Sequence, residues 1–196
     1  MKIVLIHGFN VRDKGKGTID KLEPLFKKEF PLAKIDKDSA DYGWIGLFVA
    51  NWLYPFTNII PRIASALNDA DIVVTHSNGS HFCMKALKLI KNKDILVIHI
   101  SPALNNNWKF KETFKSCYVY HTEHDKTVWW AKWLPRSSWG DMGKIGALAD
   151  DKRVHNKHLE TPITDHSNWF RPWKKVKLCK SIFKVIKKES ICVLYQ

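Results

Sequence analysis

The stretch Ile72-Val73-Val74-Thr75-His76-Ser77-Asn78-Gly79-Ser80 decides the fold of this chain. It opens with a run of apolar, β-branched residues, which predicts a strand buried on both faces. The run then passes through Ser77 directly into residues with helical spacing. Small residues two positions before and after this serine, Thr75 and Gly79, suit a strand-to-helix turn that is too tight for bulky neighbours. The stretch therefore predicts that Ser77 is a nucleophile on a sharp turn; an ordinary turn with Ser77 near the helix N-cap is the alternative.

The rest of the chain alternates short apolar runs with longer amphipathic stretches, which is typical of β-α-β units around a mostly parallel sheet. It contains no repeat and no linker, and 196 residues suit one domain. We therefore predict a single α/β domain over residues 1–196, a three-layer sandwich with a central sheet. Strands are predicted at Lys2–Ile6, Ala33–Asp38, Asp71–Thr75, Ile95–Ser101, Ser116–His121 and Arg153–His158. Helices are predicted at Thr18–Phe30, Ile59–Asn68, Ser80–Lys91, Thr127–Leu134 and Trp173–Lys188, and a loop at Pro135–Ala149.

The first predicted strand ends in His7-Gly8-Phe9-Asn10. Together with the strand, turn and helix around Ser77, this motif resembles the oxyanion loop and nucleophile elbow of α/β-hydrolases. In that family the early loop donates one backbone N–H to the oxyanion, and the residue after the nucleophile donates the other. The resemblance implies that Phe9 and Asn78 are these donors, and that the chain has a compact α/β-hydrolase fold.

The resemblance also implies an acid and a histidine later in the chain, in the order Ser, Asp, His. Asp125 follows the predicted strand Ser116–His121 and precedes a helix, as the family's acid does, and Glu123 is the competing carboxylate. His166 lies in a loop after the last predicted strand, where a histidine can reach both a hydroxyl and a carboxylate. The chain has nine histidines, and chain order and loop position favour this one. The implied catalytic triad is Ser77, His166 and Asp125.

Such a triad implies a serine hydrolase, carboxylesterase-like or lipase-like, that cleaves a small-molecule acyl ester through an acyl-enzyme without a cofactor. The implied mechanism makes His166 the base that activates Ser77. A triad sets the reaction type, whereas the pocket selects the substrate. Carboxylester, lipid, thioester, acetylated sugar and peptide substrates therefore all stay open.

The chain is strongly basic, with a formal net charge of +13 and an isoelectric point near 9.6. A field this positive attracts phosphates, anionic surfaces and acidic substrates, which leaves room for an anionic partner. Many of the lysines lie in Lys174–Lys188, where Val176, Cys179, Ile182, Phe183 and Ile186 recur at helical spacing. This pattern favours an amphipathic C-terminal helix with a solvated lysine face.

The nine tryptophans and the basic surface allow a second interpretation. The chain could be a non-catalytic basic protein that binds nucleic acid or an anionic surface on a hydrolase-like scaffold. However, several tryptophans follow Asp125 or flank His166, where an enzyme would need an apolar acyl pocket, and no nucleic-acid motif accompanies them. We therefore favour the enzyme.

Two histidine pairs, His121-x-x-His124 and His155-x-x-His158, raise the question of a metal site. On a strand or turn this spacing does not force both imidazoles to one side, and no His-Glu-x-x-His helix or cysteine cluster accompanies them. The four cysteines are scattered, which favours a reduced, intracellular setting. The sequence therefore predicts neither a metal nor a cofactor.

Residues Tyr42–Pro61 form a charge-free run that is rich in aromatic residues and long enough to raise the question of a membrane span. Glycine, asparagine and proline interrupt it, so we expect no span. The segment instead either forms a hydrophobic wall or lid over the site or packs in the core. The apolar run Ile3–Ile6 is too short for a signal peptide, which predicts a cytoplasmic protein. The sequence does not indicate an oligomeric state.

Overall fold

The computed structural model describes residues 1–11, 15–46, 48–91, 94–131, 133, 139–159 and 162–191. Within these residues one sheet contains six strands in the order β2-β1-β3-β4-β5-β6, and every pair of neighbours is parallel. The strands are β1 (Lys2–Ile6), β2 (Lys34–Asp36), β3 (Ile72–His76), β4 (Leu96–Ile100), β5 (Ser116–Tyr120) and β6 (Val154–Lys157). All six lie at the predicted places, with bounds that differ by one or two residues at some ends.

Helices cover both faces of the sheet. They are α1 (Glu23–Glu29), α2 (Ile59–Leu67), α3 (Asn78–Leu87), α4 (Lys126–Ala131), α5 (Met142–Ile145) and α6 (Pro172–Ile191). Short 3₁₀ turns occur at Ile19–Leu22, Tyr54–Phe56 and Asn168–Phe170, and one π-helical turn at Val49–Leu53. The helix predicted at Thr127–Leu134 begins at Lys126, and its positions 132 and 134 lie outside the described residues.

The hydrophobic core has two layers because successive strand residues point to opposite faces of the sheet. Val4 and Val73 pack between the sheet and helices α2 and α3. Their neighbours Leu5 and Val74 pack on the opposite face, against α1 and α6. Strands β3, β4 and β5 are buried along their whole length, as strands covered on both faces must be. The predicted three-layer α/β sandwich is confirmed.

The parallel sheet brings the carboxyl ends of all its strands to one edge, which is where ligands bind in open α/β sheets. β1 lies directly beside β3, so the loop after β1 is next to the turn at Ser77. The loops after β5 and β6, which contain Asp125 and His166, open at the same edge. Residues far apart in the sequence are therefore close in space at this edge.

One predicted loop contains more structure than expected. The segment Pro135–Ala149 includes the short helix α5, which its glycines argued against. Position 143, inside this helix, requires glycine. A Cβ there would come within 2.8 Å of the Ser101 carbonyl carbon and 3.0 Å of Asp125 Oδ2. Packing rather than turn formation thus explains this glycine. Positions 135–138 lie outside the described residues.

The predicted amphipathic helix at the C-terminus is present as α6, with its apolar stripe in a slightly different place. Cys179, Ile182 and Ile186 are buried, whereas Val176 is partly exposed. Lys174 departs from the solvated lysine face, because it is buried and donates to Asn168 Oδ1. In the described part of the chain, no helix combines the length and the apolar character that crossing a bilayer requires.

Candidate active site

Ser77 occupies a strained position between β3 and α3. Its φ of 55° and ψ of −125° lie in a region that residues with a side chain rarely adopt. A Cβ at Gly79 would lie 2.3 Å from the His7 carbonyl oxygen and 2.9 Å from that of Ile6, so only glycine fits two positions after the serine. This is the turn that the sequence predicts.

Thr75 fills the position two residues before the serine, where glycine is commoner. Its side chain is fully buried, and its hydroxyl lies 2.7 Å from Ser80 Oγ and 2.6 Å from His99 Nδ1. Burial lowers the pKa of His99 to about 3, so the imidazole is neutral and can take either role in this network. The threonine therefore links β3, the first turn of α3 and β4.

The loop after β1 lies against the serine. A Cβ at Gly8 would come within 2.9 Å of Ser77 Cβ, so this close approach also requires glycine. The predicted oxyanion donors, the backbone N–H groups of Phe9 and Asn78, donate no hydrogen bond to another described residue. Asn78 is the first residue of α3, where N–H groups have no partner within the helix. Both donors are thus free to bind an oxygen.

His7 and Asp41 hold this loop in place. The imidazole Nε2 of His7 lies 2.9 Å from Asp41 Oδ1, and its Nδ1 lies 2.9 Å from the Gly8 carbonyl oxygen. The carboxylate and the carbonyl thus hold the imidazole ring at both of its nitrogens. Tyr42 stacks on the ring at 4.0 Å between centroids and donates its hydroxyl to the His7 carbonyl.

The contact between His7 and Gly8 also bears on a predicted oxyanion donor. No peptide bond among the described residues is cis, so the Gly8 carbonyl and the Phe9 N–H point in opposite directions within their shared peptide plane. By holding this carbonyl, the imidazole of His7 also holds the direction of the Phe9 N–H. No local pattern in the sequence links Asp41 to His7, 34 positions earlier.

Asp125 and His166 form a direct pair. The carboxylate of Asp125 is fully buried, its Oδ2 lies 2.7 Å from His166 Nδ1, and its Oδ1 accepts the Val128 N–H at 3.2 Å. The competing Glu123 has a side chain that is 84% exposed and faces His124. The structure thus pairs Asp125, and not Glu123, with the histidine. A Nδ1–H that donates to Asp125 leaves Nε2 of His166 as the basic nitrogen.

Ser77 and His166 make no direct bond in this conformation. No hydrogen bond joins their side chains within the described part of the chain; the contact between the two segments runs through His76. The His76 ring lies 4.7 Å from the His166 ring between centroids, and its Nε2–H donates to the His166 carbonyl at 3.4 Å. Catalytic hydrogen bonds are often long in ligand-free structures and tighten when substrate binds.

His76 is held as a neutral side chain. Burial, with a smaller contribution from the nearby His166, lowers its pKa well below 6.5. The ring packs edge-on against Phe170 at 4.8 Å, so it separates His166 from the core below. Sequence reasoning treated His76 as one of several rival histidines and did not foresee this supporting contact.

Two tryptophans brace the surrounding turns. Trp169 Nε1 donates to Ser101 Oγ at 2.6 Å, and Ser101 itself has a φ of 44° at the end of β4. Trp139 Nε1 donates to Asn78 Oδ1 at 2.6 Å, next to the predicted oxyanion donor. Both indoles are buried, so they rigidify the edge of the sheet beside the serine. The sequence places both tryptophans near the site but does not indicate their hydrogen-bond partners.

The two histidine pairs do not gather into a metal centre. The rings of His121 and His158 lie 4.0 Å apart between centroids, while His155 packs on Tyr118. Burial and the neighbouring His158 lower the pKa of His121 to about 4. Across the described ranges, no group of three or more His, Cys, Asp or Glu side chains is placed to hold a metal ion.

These features together are the architecture of the α/β-hydrolases. They are a parallel sheet, a strained serine at a strand-to-helix turn, a glycine-containing loop beside the serine, and a buried His–Asp pair at the same edge of the sheet. Solved structures agree. The chain is similar to esterase PE8 with a TM-score of 0.55 and 13% identity, over 94% of this chain and 92% of that one. It is also similar to Aspergillus fumigatus lipase B with a TM-score of 0.51 and 16% identity.

The similarity to the lipase covers 86% of this chain but only 49% of the lipase, so the chain spans about half the length of that protein. Comparisons with protein-family models and with curated protein sequences gave no match. At these identities the structural similarity establishes the fold alone. The chain has an α/β-hydrolase fold.

Proposed function

We propose that this protein is a serine hydrolase that cleaves an ester-type acyl bond, with Ser77 as nucleophile, His166 as base and Asp125 as the acid that orients it. One observation carries the proposal: Asp125 and His166 form a buried contact of 2.7 Å, which lies at the same edge of the sheet as the strained turn of Ser77. A buried carboxylate that holds the Nδ1–H of an imidazole leaves the other nitrogen ready to accept a proton.

In this mechanism His166 Nε2 accepts the Ser77 hydroxyl proton as Ser77 Oγ bonds to the acyl carbon. The Phe9 and Asn78 N–H groups then stabilise the negative oxygen. The bond to the leaving alkoxide breaks, and the alcohol departs with the proton from His166. Water repeats these steps on the acyl-enzyme, releases the acid and restores the serine. Closing the triad requires the Ser77 hydroxyl and His166 Nε2 to come within hydrogen-bond distance.

No step of this mechanism needs a metal or a cofactor. A carboxylic ester is the central proposal, and the carboxylesterase or lipase-like class rests on the triad rather than on a recognised pocket. The direct competitor is a basic binding protein that keeps this fold without catalysis. The absence of a hydrogen bond between Ser77 and His166 is the one specific observation that favours the binding protein.

Labelling with a fluorophosphonate followed by peptide mapping tests the proposal, because this probe reacts only with an activated serine. We expect label on Ser77, loss of label and of p-nitrophenyl ester cleavage in Ser77→Ala, and normal label in Ser190→Ala, whose serine lies on α6. Full esterase activity in folded Ser77→Ala would overturn the assignment. Absence of label together with salt-dependent retention on DNA or RNA would favour the binding protein.

A further inference from the structure

We infer that the face around Ser77 docks onto an anionic lipid surface through an aromatic rim. The rim comprises five apolar side chains that are between 53% and 87% exposed: Trp44, Phe48, Phe56, Trp130 and Trp133. Soluble proteins rarely leave so many large apolar side chains exposed in one region without a partner.

The first half of the rim belongs to the segment between β2 and α2. Trp44 Nε1 donates to Asn10 Oδ1 at 2.6 Å, which places the indole beside the loop that follows β1. Phe48 packs on Trp52 at 5.4 Å between centroids. Tyr42 and Tyr54 of this segment are buried, so the segment is anchored in the core while its other aromatic residues face outward.

The second half of the rim follows the loop of Asp125. Val128 of α4 and Ala50 of the first segment are buried in one cluster with Ala103 and Trp139. The two segments therefore lie side by side over the carboxyl edge of the sheet. Trp129 contacts both Trp130 and Trp133, with ring centroids 5.2 and 6.5 Å apart. The rim thus continues across both segments that border the candidate site.

The charge around the rim suits a negative surface. Residues 42–58 contain no charged side chain. Among the described residues between 126 and 148, the basic side chains are Lys126 and Lys144, and the acidic Asp141 is buried. Lys144 lies over the Trp129 ring at 5.0 Å, and the whole chain has a formal net charge of +13. Tryptophan and lysine side by side are typical of surfaces that sit at the boundary between lipid headgroups and acyl chains.

A lipid surface fits these features better than a nucleic acid does. Stacking platforms for single strands need cations between the aromatic rings to neutralise phosphates. The charge-free half of the rim, with Phe48 and Phe56, offers none and suits hydrocarbon instead. A lipid ester as the substrate of the site would rest on the proposed function, whereas the binding itself does not.

Vesicle co-sedimentation tests the inference with wild type and Ser77→Ala, so that hydrolysis cannot alter the vesicles. We expect strong binding to phosphatidylcholine vesicles that contain phosphatidylglycerol, and weak binding to phosphatidylcholine alone. The double variant Phe48→Ala/Phe56→Ala and the variant Trp130→Ala should each weaken binding by about tenfold. Leu89→Ala is the control, because Leu89 is 62% exposed but lies between the end of α3 and the start of β4, at the opposite edge of the sheet.

Three outcomes would overturn the inference: no binding to the anionic vesicles, equal loss of binding in Leu89→Ala, or rim variants that bind as the wild type does. Rim-dependent binding to an oligonucleotide without vesicle binding would assign the face to nucleic acid. Rim-dependent self-association in sedimentation velocity, without vesicle binding, would assign it to a second copy of the chain. Loss of serine labelling with vesicle binding intact would contradict only the proposed function.

Discussion

His166 Nδ1 lies 2.7 Å from Oδ2 of Asp125, a carboxylate with no exposed surface, across 41 positions of sequence. The other oxygen of this carboxylate accepts the Val128 N–H at 3.2 Å, which fixes its orientation. A buried carboxylate held in this way sets both the tautomer and the ring plane of the histidine. The role of Asp125 can therefore be tested directly by substitution.

Asp125→Asn should lower kcat by about 10⁴-fold with little effect on folding, because the amide keeps the shape but favours the wrong imidazole tautomer. Ester cleavage by the purified variant measures this loss. Glu123→Gln changes an exposed carboxylate of the same loop and should leave kcat unchanged. Equal activities in the two variants would show that Asp125 does not orient the base.

Gly79→Ala should destabilise the protein by about 1 to 3 kcal/mol, because the new Cβ would lie 2.3 Å from the His7 carbonyl oxygen. Urea unfolding measures the change in the free energy of unfolding. Gly46→Ala is the matched control, since a Cβ there has no neighbour within 4 Å. If Gly79→Ala and Gly46→Ala had the same free energy of unfolding, the turn could accommodate the extra Cβ without a loss of stability.

Asp41→Asn should lower kcat by about 10- to 100-fold and change KM little, because an uncharged amide holds the His7 ring less firmly than the carboxylate does. The ring then holds the Gly8 carbonyl less firmly, and the Gly8–Phe9 peptide can turn. Steady-state kinetics on a p-nitrophenyl ester separates kcat from KM.

Glu29→Gln, which alters a carboxylate paired with Lys187 far from the site, serves as the control for this effect. If kcat were unchanged in Asp41→Asn, this carboxylate would not help to position the oxyanion donors. A change confined to thermal stability would give it a structural role only.

Acid should destabilise the protein through His81, which lies among Tyr54, Phe82 and Trp108 with neither ring nitrogen bonded to a described residue. Burial, and then the lysines at 85 and 88, lower its pKa from 6.5 to about 3. The unfolded chain therefore binds the proton first as the pH falls below 6.5, and stability decreases down to about pH 3.

At pH 5 this effect costs about 2 kcal/mol relative to neutral pH. His81→Phe should remove it and flatten the dependence of the unfolding midpoint on pH, as measured by urea denaturation at pH 5 and 7.5. His124→Gln, at an exposed position, should keep the steeper dependence of the wild type. Parallel pH profiles for wild type and His81→Phe would contradict this account.

The elements of the fold follow from local patterns. Buried strands such as Ile72–His76 read as continuous apolar runs because both of their faces are covered. Helix α5 escaped prediction because its glycines resemble loop signals, while Gly143 in fact permits close packing on Asp125. The charge-free run at Tyr42–Pro61 divides into buried and exposed residues in a way that no period in the sequence indicates.

The sequence by itself determined the strand, the sharp turn and the helix around Ser77. It also determined the glycines that let the loop after β1 approach this serine. These features depend only on the conformation of a few adjacent backbone positions. It also gave the order in which a nucleophile, an acid and a base would follow. Only the tertiary structure decided that Asp125 rather than Glu123 meets His166, and that Asp41 contacts and holds His7. These contacts join strands and loops tens of residues apart, and their geometry depends on how the whole sheet packs rather than on any local pattern.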